Sequence, residues 1–495
     1  MLRFLTFLAV ILSLELSAQH VLSPMNPVHT SQVEAHFTSK KLIQPTAFAP
    51  FLMKQSTLDS IMDGNTKNWS RKQYDGFIMR RLKNEHLVEI RKADFTLNAD
   101  ITLNLEAGRD RREITPRTLY VNSRGYNVNG TVGERFFYST TFFENQARLP
   151  QYLDSVVSTR GSVPGYARVK DFNTSETFDY DYSVATGYAG VAITEGSFIQ
   201  FGHDRQFIGH GHRSLLLSDG SSPYTFVRGQ VSLWKNRITY STTYAMRQTL
   251  NRVAPNYNNK EAMFQRDYWK FSYLEFQPWW WISLGAFTST DFGSTEQFVP
   301  ITLAKKSDLY PSGIDLAVRP FVPLEFYAQW MAQYGKTGLQ VGYNLNIDLG
   351  ELRISNRMEY NTVESYAYIG PIPWPNMIAE YDTYSHMGQP LGYNLGPGAS
   401  EFIGKLDLTW RDLIFSVQYN GMNVSQGWKQ WNSAERSREV DFFRTELGYL
   451  INPKTNMQAV FGIINRNEDA LVGGIHDNYV YFAFRTQLLN RYVDY

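Results

Sequence analysis

LQVGYNLNIDLGELRISNRME, residues 339–359, alternates apolar and polar side chains along most of its length. Leu339, Val341, Tyr343, Leu345, Ile347 and Leu349 form one row, and Gln340, Gly342, Asn344, Asn346 and Asp348 form the other. In an extended chain successive side chains point to opposite faces, so these rows are the two faces of one strand. Gly350-Glu351 supplies a tight turn with glycine first. The return run carries Leu352, Ile354 and Met358 on one face and Arg353, Ser355, Arg357 and Glu359 on the other. So much charge is costly against a dry core and natural against water. An apolar outer face around a wet interior is the pattern of a transmembrane β-barrel.

Two further hairpins repeat this logic. Phe402, Leu406, Leu408 and Trp410 alternate with Lys405, Asp407 and Thr409, and Arg411-Asp412 turns the chain into Leu413, Phe415, Val417 and Tyr419. Leu447, Tyr449 and Ile451 join Met457, Ala459 and Phe461 through Asn452-Pro453-Lys454. Tight turns alternate with long loops, as periplasmic turns and extracellular loops do. At about 20 residues per strand plus connection, the region 93–495 holds roughly 16–20 antiparallel strands. The expected fold class is therefore all-β, a transmembrane outer-membrane β-barrel. Tyr495 adds the terminal aromatic such barrels often carry.

Composition agrees. The 495 residues include 31 Tyr, 32 Phe and 11 Trp, yet mean hydropathy is only -0.35. That combination follows when lipid-facing and lumen-facing positions alternate between aromatic girdles. Trp279-Trp280-Trp281 reads as one point of such a girdle. A net charge of +1 carries no signal for nucleic acid. The absence of cysteine excludes disulfides, zinc–cysteine sites, thiol catalysis and a lipidated cysteine.

Met1-Leu2-Arg3, the apolar run from Phe4 to Leu14 and Leu16-Ser17-Ala18 read as a secretory signal peptide, 1–18, cleaved near Ala18. Residues 19–92 are mixed and read as a small, partly helical periplasmic or plug-like segment, with a loosely ordered leader as the alternative. Ser56 is placed to cap a short helix carrying Leu58, Ile61 and Met62. A second helical piece is expected over about 70–89, with Tyr74, Phe77, Ile78, Arg81 and Leu82 on one face.

FGHDRQFIGHGHRSLLLSDGSSPY, residues 201–224, is a polar, glycine-rich turn that runs into Leu215-Leu216-Leu217 and Ser218-Asp219. It resembles the central signature of the Wzi-type capsule-assembly outer-membrane proteins, and more closely their RemB-type gliding-motility relatives. Residues 144–152 with Val163-Pro164-Gly165 are similar to an early block of that branch. Residues 359–363 with 384–392 are similar to a late block. Two departures stand out: Ile208-Gly209-His210-Gly211 replaces a Trp-Gly-Pro-Gly tendency, and the late phrase is shortened to Gln389-Pro390-Leu391-Gly392. The resemblance implies a non-enzymatic barrel of the outer membrane. Such a barrel would bind or organise surface polysaccharide, or serve as a surface component of gliding motility. Its partners would be polysaccharide or outer-membrane secretion and gliding components.

Two groups of residues are candidates for ligand contact. Asp204, Arg205, His210, His212 and Arg213 crowd the central stretch. Three readings stay open for them: a lumenal ion-pair network, a grip on an acidic sugar by Arg205 and Arg213, or a metal or catalytic histidine cluster. Tyr366, Tyr368, Trp374, Tyr381, Tyr384 and His386 lie in one proline-containing loop. Their rings suit stacking on sugar C–H faces, or girdle and loop packing. No catalytic, metal or cofactor motif is expected. The rival classes are an accessory subunit of a secretion or gliding machine, an outer-membrane enzyme and a porin.

Overall fold

The alternation is realised strand by strand. The computed structural model describes residues 19–63, 68–112, 117–170, 179–252, 264–291, 310–369, 384–425, 437–469, 474–486 and 492–495. Among these, 18 antiparallel strands close into one barrel. The first six are β1 (Phe95–Asp110), β2 (Leu119–Val132), β3 (Phe136–Arg148), β4 (Tyr180–Thr194), β5 (Ser197–Asp204) and β6 (Tyr224–Leu233). Next come β7 (Ile238–Arg252), β8 (Phe264–Trp279), β9 (Ile282–Asp291), β10 (Ser312–Phe321), β11 (Leu324–Gln333) and β12 (Lys336–Asp348). The last are β13 (Leu352–Val363), β14 (Ala399–Trp410), β15 (Leu413–Ser425), β16 (Ser437–Asn452), β17 (Met457–Asp469) and β18 (His476–Thr486). β18 pairs with β1, Val480 opposite Arg109 and Phe484 opposite Leu105. Closure matters because lipid offers no partner to an open strand edge.

The β12–β13 register explains the polar row. Gln340 lies opposite Asn361, Gly342 opposite Glu359, Asn344 opposite Arg357 and Asp348 opposite Arg353. Polar thus meets polar inside, while Leu339, Val341 and Met358 are exposed on the outer face. A slip of one residue would exchange the faces. β14 and β15 pair as expected, Leu408 with Phe415 and Leu406 with Val417. In the third hairpin an irregularity after Leu450 pairs Met457 with Asn452 instead of Ile451.

Tight turns at 133–135, 195–196, 280–281, 322–323 and 411–412 gather at one end of the barrel. Barrels of this kind keep their short turns on the periplasmic side. Trp279 and Trp281 stack at the tight-turn end, ring centroids 5.4 Å apart, on the exposed outer surface.

Among the described residues three helices precede the barrel: α1 (Pro27–Ser39), α2 (Gln55–Met62) and α3 (Phe77–Lys83). α1 is absent from the sequence reading, although its signal is there. Asn26 accepts the His29 N–H at 2.9 Å and Pro27 opens the first turn. α2 starts one residue before Ser56, so Lys54 flanks it and no side chain caps it. α3 is much shorter than 70–89. Asn84 donates to the Lys72 carbonyl at 3.0 Å and accepts the Tyr74 N–H at 3.3 Å, which holds 72–74 out of the helix. The expected signal peptide, 1–18, lies outside the described residues.

Residues 44–54 run inside the barrel. Arg228 of β6 donates to the carbonyls of Phe48 and Pro50, both at 2.9 Å, and Glu275 of β8 accepts the Ala47 N–H at 2.8 Å. Tyr495, read as the terminal aromatic such barrels often carry, does not lie on a strand. The last strand ends at Thr486, and residues 492–495 lie in the lumen with Tyr495 buried.

The register makes a direct test possible. Phe461→Arg places a guanidinium on the lipid face of β17 and should cost about 2–4 kcal/mol of folding stability. Asn346→Arg, on the lumenal row, should cost far less. Urea titration of folding into phospholipid vesicles reads both.

Candidate functional site

The connection between β5 and β6, residues 205–223, folds into the barrel instead of out to solvent. Gly209 supplies the bend at φ 133°, where side chains are disfavoured. Leu215, Leu216 and Leu217 then lie fully buried. A buried backbone must find partners, and wall and loop residues provide them. Gln329 of β11 accepts the Leu215 N–H at 2.9 Å. Tyr368 donates to the Leu215 carbonyl and Tyr384 to the Leu216 carbonyl, each at 2.8 Å.

Arg213 is the electrostatic centre. It has no solvent exposure. Its Nε and Nη2 donate to the two carboxylate oxygens of Glu401 on β14, at 3.0 and 2.8 Å. Nη2 also lies 3.1 Å from the Asp494 carboxylate, and Nη1 donates to that carboxylate at 3.4 Å. Gln418 and Asn420 of β15 donate to Asp494 as well, at 2.6 and 3.1 Å. Burial works against charge on Asp494, but Arg213 outweighs it and holds that carboxyl well below its usual range. Glu359 of β13 accepts the N–H groups of His212 and Arg213, at 2.6 and 3.1 Å, and the Tyr327 hydroxyl at 2.8 Å.

The histidines differ. Burial opposes charge on His210, yet Glu325 and Asp315, 3.5 and 3.4 Å away, raise it well above its ordinary value. Burial pushes His212 down to about 4, against the pull of Asp494 at 3.2 Å. His386 goes down to about 3, again chiefly through burial. Its Nδ1 accepts the Gln248 N–H at 3.0 Å, so Nε2 carries the proton and donates to the Pro223 carbonyl at 3.1 Å.

The three sequence blocks meet at one knot. Gln389 accepts the Gly165 N–H at 3.0 Å and donates to the Val163 carbonyl and the Ser222 hydroxyl at 3.1 and 3.0 Å. Arg205 donates to the carbonyls of Gly165 and Asp219, at 3.0 and 3.2 Å. Asp204 ends β5 and accepts the Arg205 N–H at 2.8 Å. The central group thus divides: His210, His212 and Arg213 meet carboxylates of the wall and of the re-entrant segment, and Arg205 is held by loop carbonyls. Glu359, Glu401, Asp494, Gln329 and Gln389 complete it. Of these Glu359 had a sequence signal in its place on the polar row, and Glu359 and Gln389 both lie in the late block; Glu401, Asp494 and Gln329 had none.

The aromatic group divides. Tyr384 stacks on Trp269, centroids 4.9 Å apart, and on Tyr368 at 5.9 Å, all buried beneath the loop. Tyr366, 52 % exposed, faces solvent. Trp374 and Tyr381 lie outside the described residues. A cavity of about 750 Å³ remains beside the plug, lined by Glu34, Arg357, Lys405, Asp407, Glu446 and Tyr481 among others. No cluster of metal-ligating side chains occurs among the described residues.

No family model and no curated protein matches the chain. A solved structure does, at 14% identity and TM-score 0.57, covering 94% of this chain and 99% of its own. It is described as Wzi, an outer membrane protein involved in group 1 capsule assembly in Escherichia coli and a carbohydrate binding β-barrel. Pseudomonas aeruginosa OpdL (10% identity, 80% of this chain, 98% of that chain) gives a TM-score of 0.44. Acinetobacter baumannii OccAB2 (9% identity, 79% and 97%) gives 0.43. At 14% identity the likeness to the first speaks to the barrel fold alone.

Arg213→Met leaves Glu401 and Asp494 buried without their counter-charge. The opening free energy of loop 205–223 should fall by about 3–5 kcal/mol, seen as faster amide exchange there, and adding Glu401→Gln should recover part of it. The pH dependence has a definite sign. His212 and His386 have lowered folded values, so their neutral forms contribute stability above the ordinary histidine value, lost as pH falls. His210, whose value is raised, contributes fully below the ordinary histidine value and loses that contribution as pH rises from there toward its folded value. Protease protection of the loop should therefore decline from about pH 6.5 downward. A His212→Asn/His386→Asn variant should flatten that decline.

Proposed function

We propose that this chain is a non-enzymatic outer-membrane β-barrel that holds surface polysaccharide at its loop end and does not pass solutes through its lumen. The observation that carries the reading is the filling of the lumen. Loop 205–223, segment 384–398, residues 44–54 and residues 492–495 all lie within the wall and are tied to it by buried hydrogen bonds, and segment 384–398 is tied to loop 205–223 as well. A porin keeps a water-filled path. Here the polar wall serves the chain's own loops, which holds the described residues of the loop end in place and lowers the ordering cost of binding there. Tyr366, half exposed, is the most exposed ring among the described members of its group and the one placed for sugar stacking. The likeness to a carbohydrate binding barrel is a fold-level analogy and adds to this reading. A closer kinship with gliding-motility proteins rests on the sequence blocks alone.

One observation favours a second reading, an accessory barrel docked against others in an outer-membrane machine. The alternate positions Ala185, Gly187 and Ala189 put a flat, small-residue strip on the outside of β4.

Gentle purification from the native outer membrane separates the two. The glycan reading expects polysaccharide to accompany the protein, and Tyr366→Ala to weaken its retention roughly five- to tenfold, the loss of one stacking ring. Stoichiometric protein partners without glycan, cross-linked through a cysteine at position 187, would replace it with the second.

A further inference from the structure

At the tight-turn end of the barrel, residues 71–91 form a strap with an unusual surface, its last four residues joining the barrel sheet. Arg71 fastens its start, donating to the carbonyls of Leu450 and Ile451 at 3.0 and 2.6 Å and pairing with Asp412. Asn452 then donates to the carbonyls of Arg81 and Glu85, at 3.2 and 2.8 Å. The strap ends in the short strand Val88–Arg91, which pairs with the start of β1, Val88 opposite Ala99 and Ile90 opposite Leu97. It is thus tied down at both ends and in the middle.

Its free side is apolar. Phe77 and Ile78 are 67 % and 75 % exposed, and Leu82, Leu87, Val88 and Ile90 are exposed with them. A soluble surface seldom presents such a row. Two contacts show where the row lies. Val88 and Ile90 share the outward face of β1, on which Ile101 and Leu105 are exposed. Lys83 of α3 rests its ammonium 5.0 Å from the ring of Tyr449, an exposed residue of the outer face of β16. The apolar row is therefore continuous with the lipid-facing belt. Cations flank it: Arg80, Arg81 and Lys83 lie on the same short helix. Arg80 and Arg81 share the single carboxylate of Glu85, at 3.1 and 3.0 Å, leaving a surplus of positive charge.

We infer that this strap is a membrane-surface anchor, its apolar row set into the phospholipid leaflet on the tight-turn side and its arginines and lysine against lipid phosphates. Apolar side chains beside basic ones suit the boundary between headgroups and acyl chains. The strap then grips the leaflet beside the barrel and fixes how deep the periplasmic rim sits. This role does not depend on what the loop end binds.

The chain has no cysteine, so a single nitroxide can be placed at will. Ile78→Cys is labelled in the full protein, in vesicles of phosphatidylethanolamine and phosphatidylglycerol. Phe482→Cys on the belt and Asp75→Cys serve as lipid and water references. Collisions with oxygen at position 78 should exceed those with a water-soluble nickel complex, as at 482 and opposite to 75. A nickel-dominated signal at 78, with 482 still reporting lipid, would overturn the inference, because no other protein is present to cover the row. Arg80→Gln/Lys83→Gln should shift the position 78 label toward the nickel reagent. No shift in that variant would overturn the phosphate contact. Heat-dependent gel mobility confirms that each variant is a folded barrel.

Discussion

A guanidinium with no access to water has to find its counter-charge inside the protein, and Arg213 finds two. Glu401 comes from the wall, 188 residues away, and Asp494 from the segment that re-enters the lumen, 281 residues away. Removing one partner of such a group leaves an uncompensated buried charge, which is far costlier than never having buried the pair. The arrangement therefore holds all three or none. It fixes loop 205–223 in the lumen, holds residues 492–495 against it, and assigns the inward polar row of β14 and β15 a purpose. The burial of Leu215, Leu216 and Leu217 follows, because their backbone is delivered to Tyr368, Tyr384 and Gln329.

The barrel faces two solvents, and its inner one is largely its own chain. Strand positions that in an open pore would meet water instead accept backbone N–H groups, as Glu359 does for His212 and Arg213 and Glu275 does for Ala47. Such charge-assisted bonds compensate the desolvation of each carboxylate. They also make the plug sensitive to protonation, since His212 and His386 are buried in neutral form while His210 is held charged between two carboxylates. The cavity that remains is bounded by ionic side chains, Arg357 and Glu34 facing each other across 3.9 Å.

The wall was legible in the sequence because a period of two is a local property. Residues 339–359 announce their pairing, and Gln340 does meet Asn361 inside while Leu339 turns out. The plug was not legible, because its partners are remote. No spacing links Arg213 to Asp494 or Gln389 to Val163. For the same reason Tyr368, Tyr384 and His386 look in sequence like a solvent loop offering rings to a sugar. Prolines and aromatics give the same local signal whether a loop folds outward or inward, and here Tyr368, Tyr384 and His386 are buried. Tyr495 shows the converse: a terminal aromatic suggests an interface, while the last strand has already ended at Thr486. α1 was missed although Asn26-Pro27 marks its start, because its apolar side chains lack a clear face.

Single-channel recording of the purified wild-type protein in planar bilayers at neutral pH tests the plugged lumen most directly. The expected record is a closed one, with only brief, small openings at moderate voltage. A steady, large, ohmic conductance like that of an open diffusion pore would show that the lumen is a path for solutes, and would contradict the account built on Arg213.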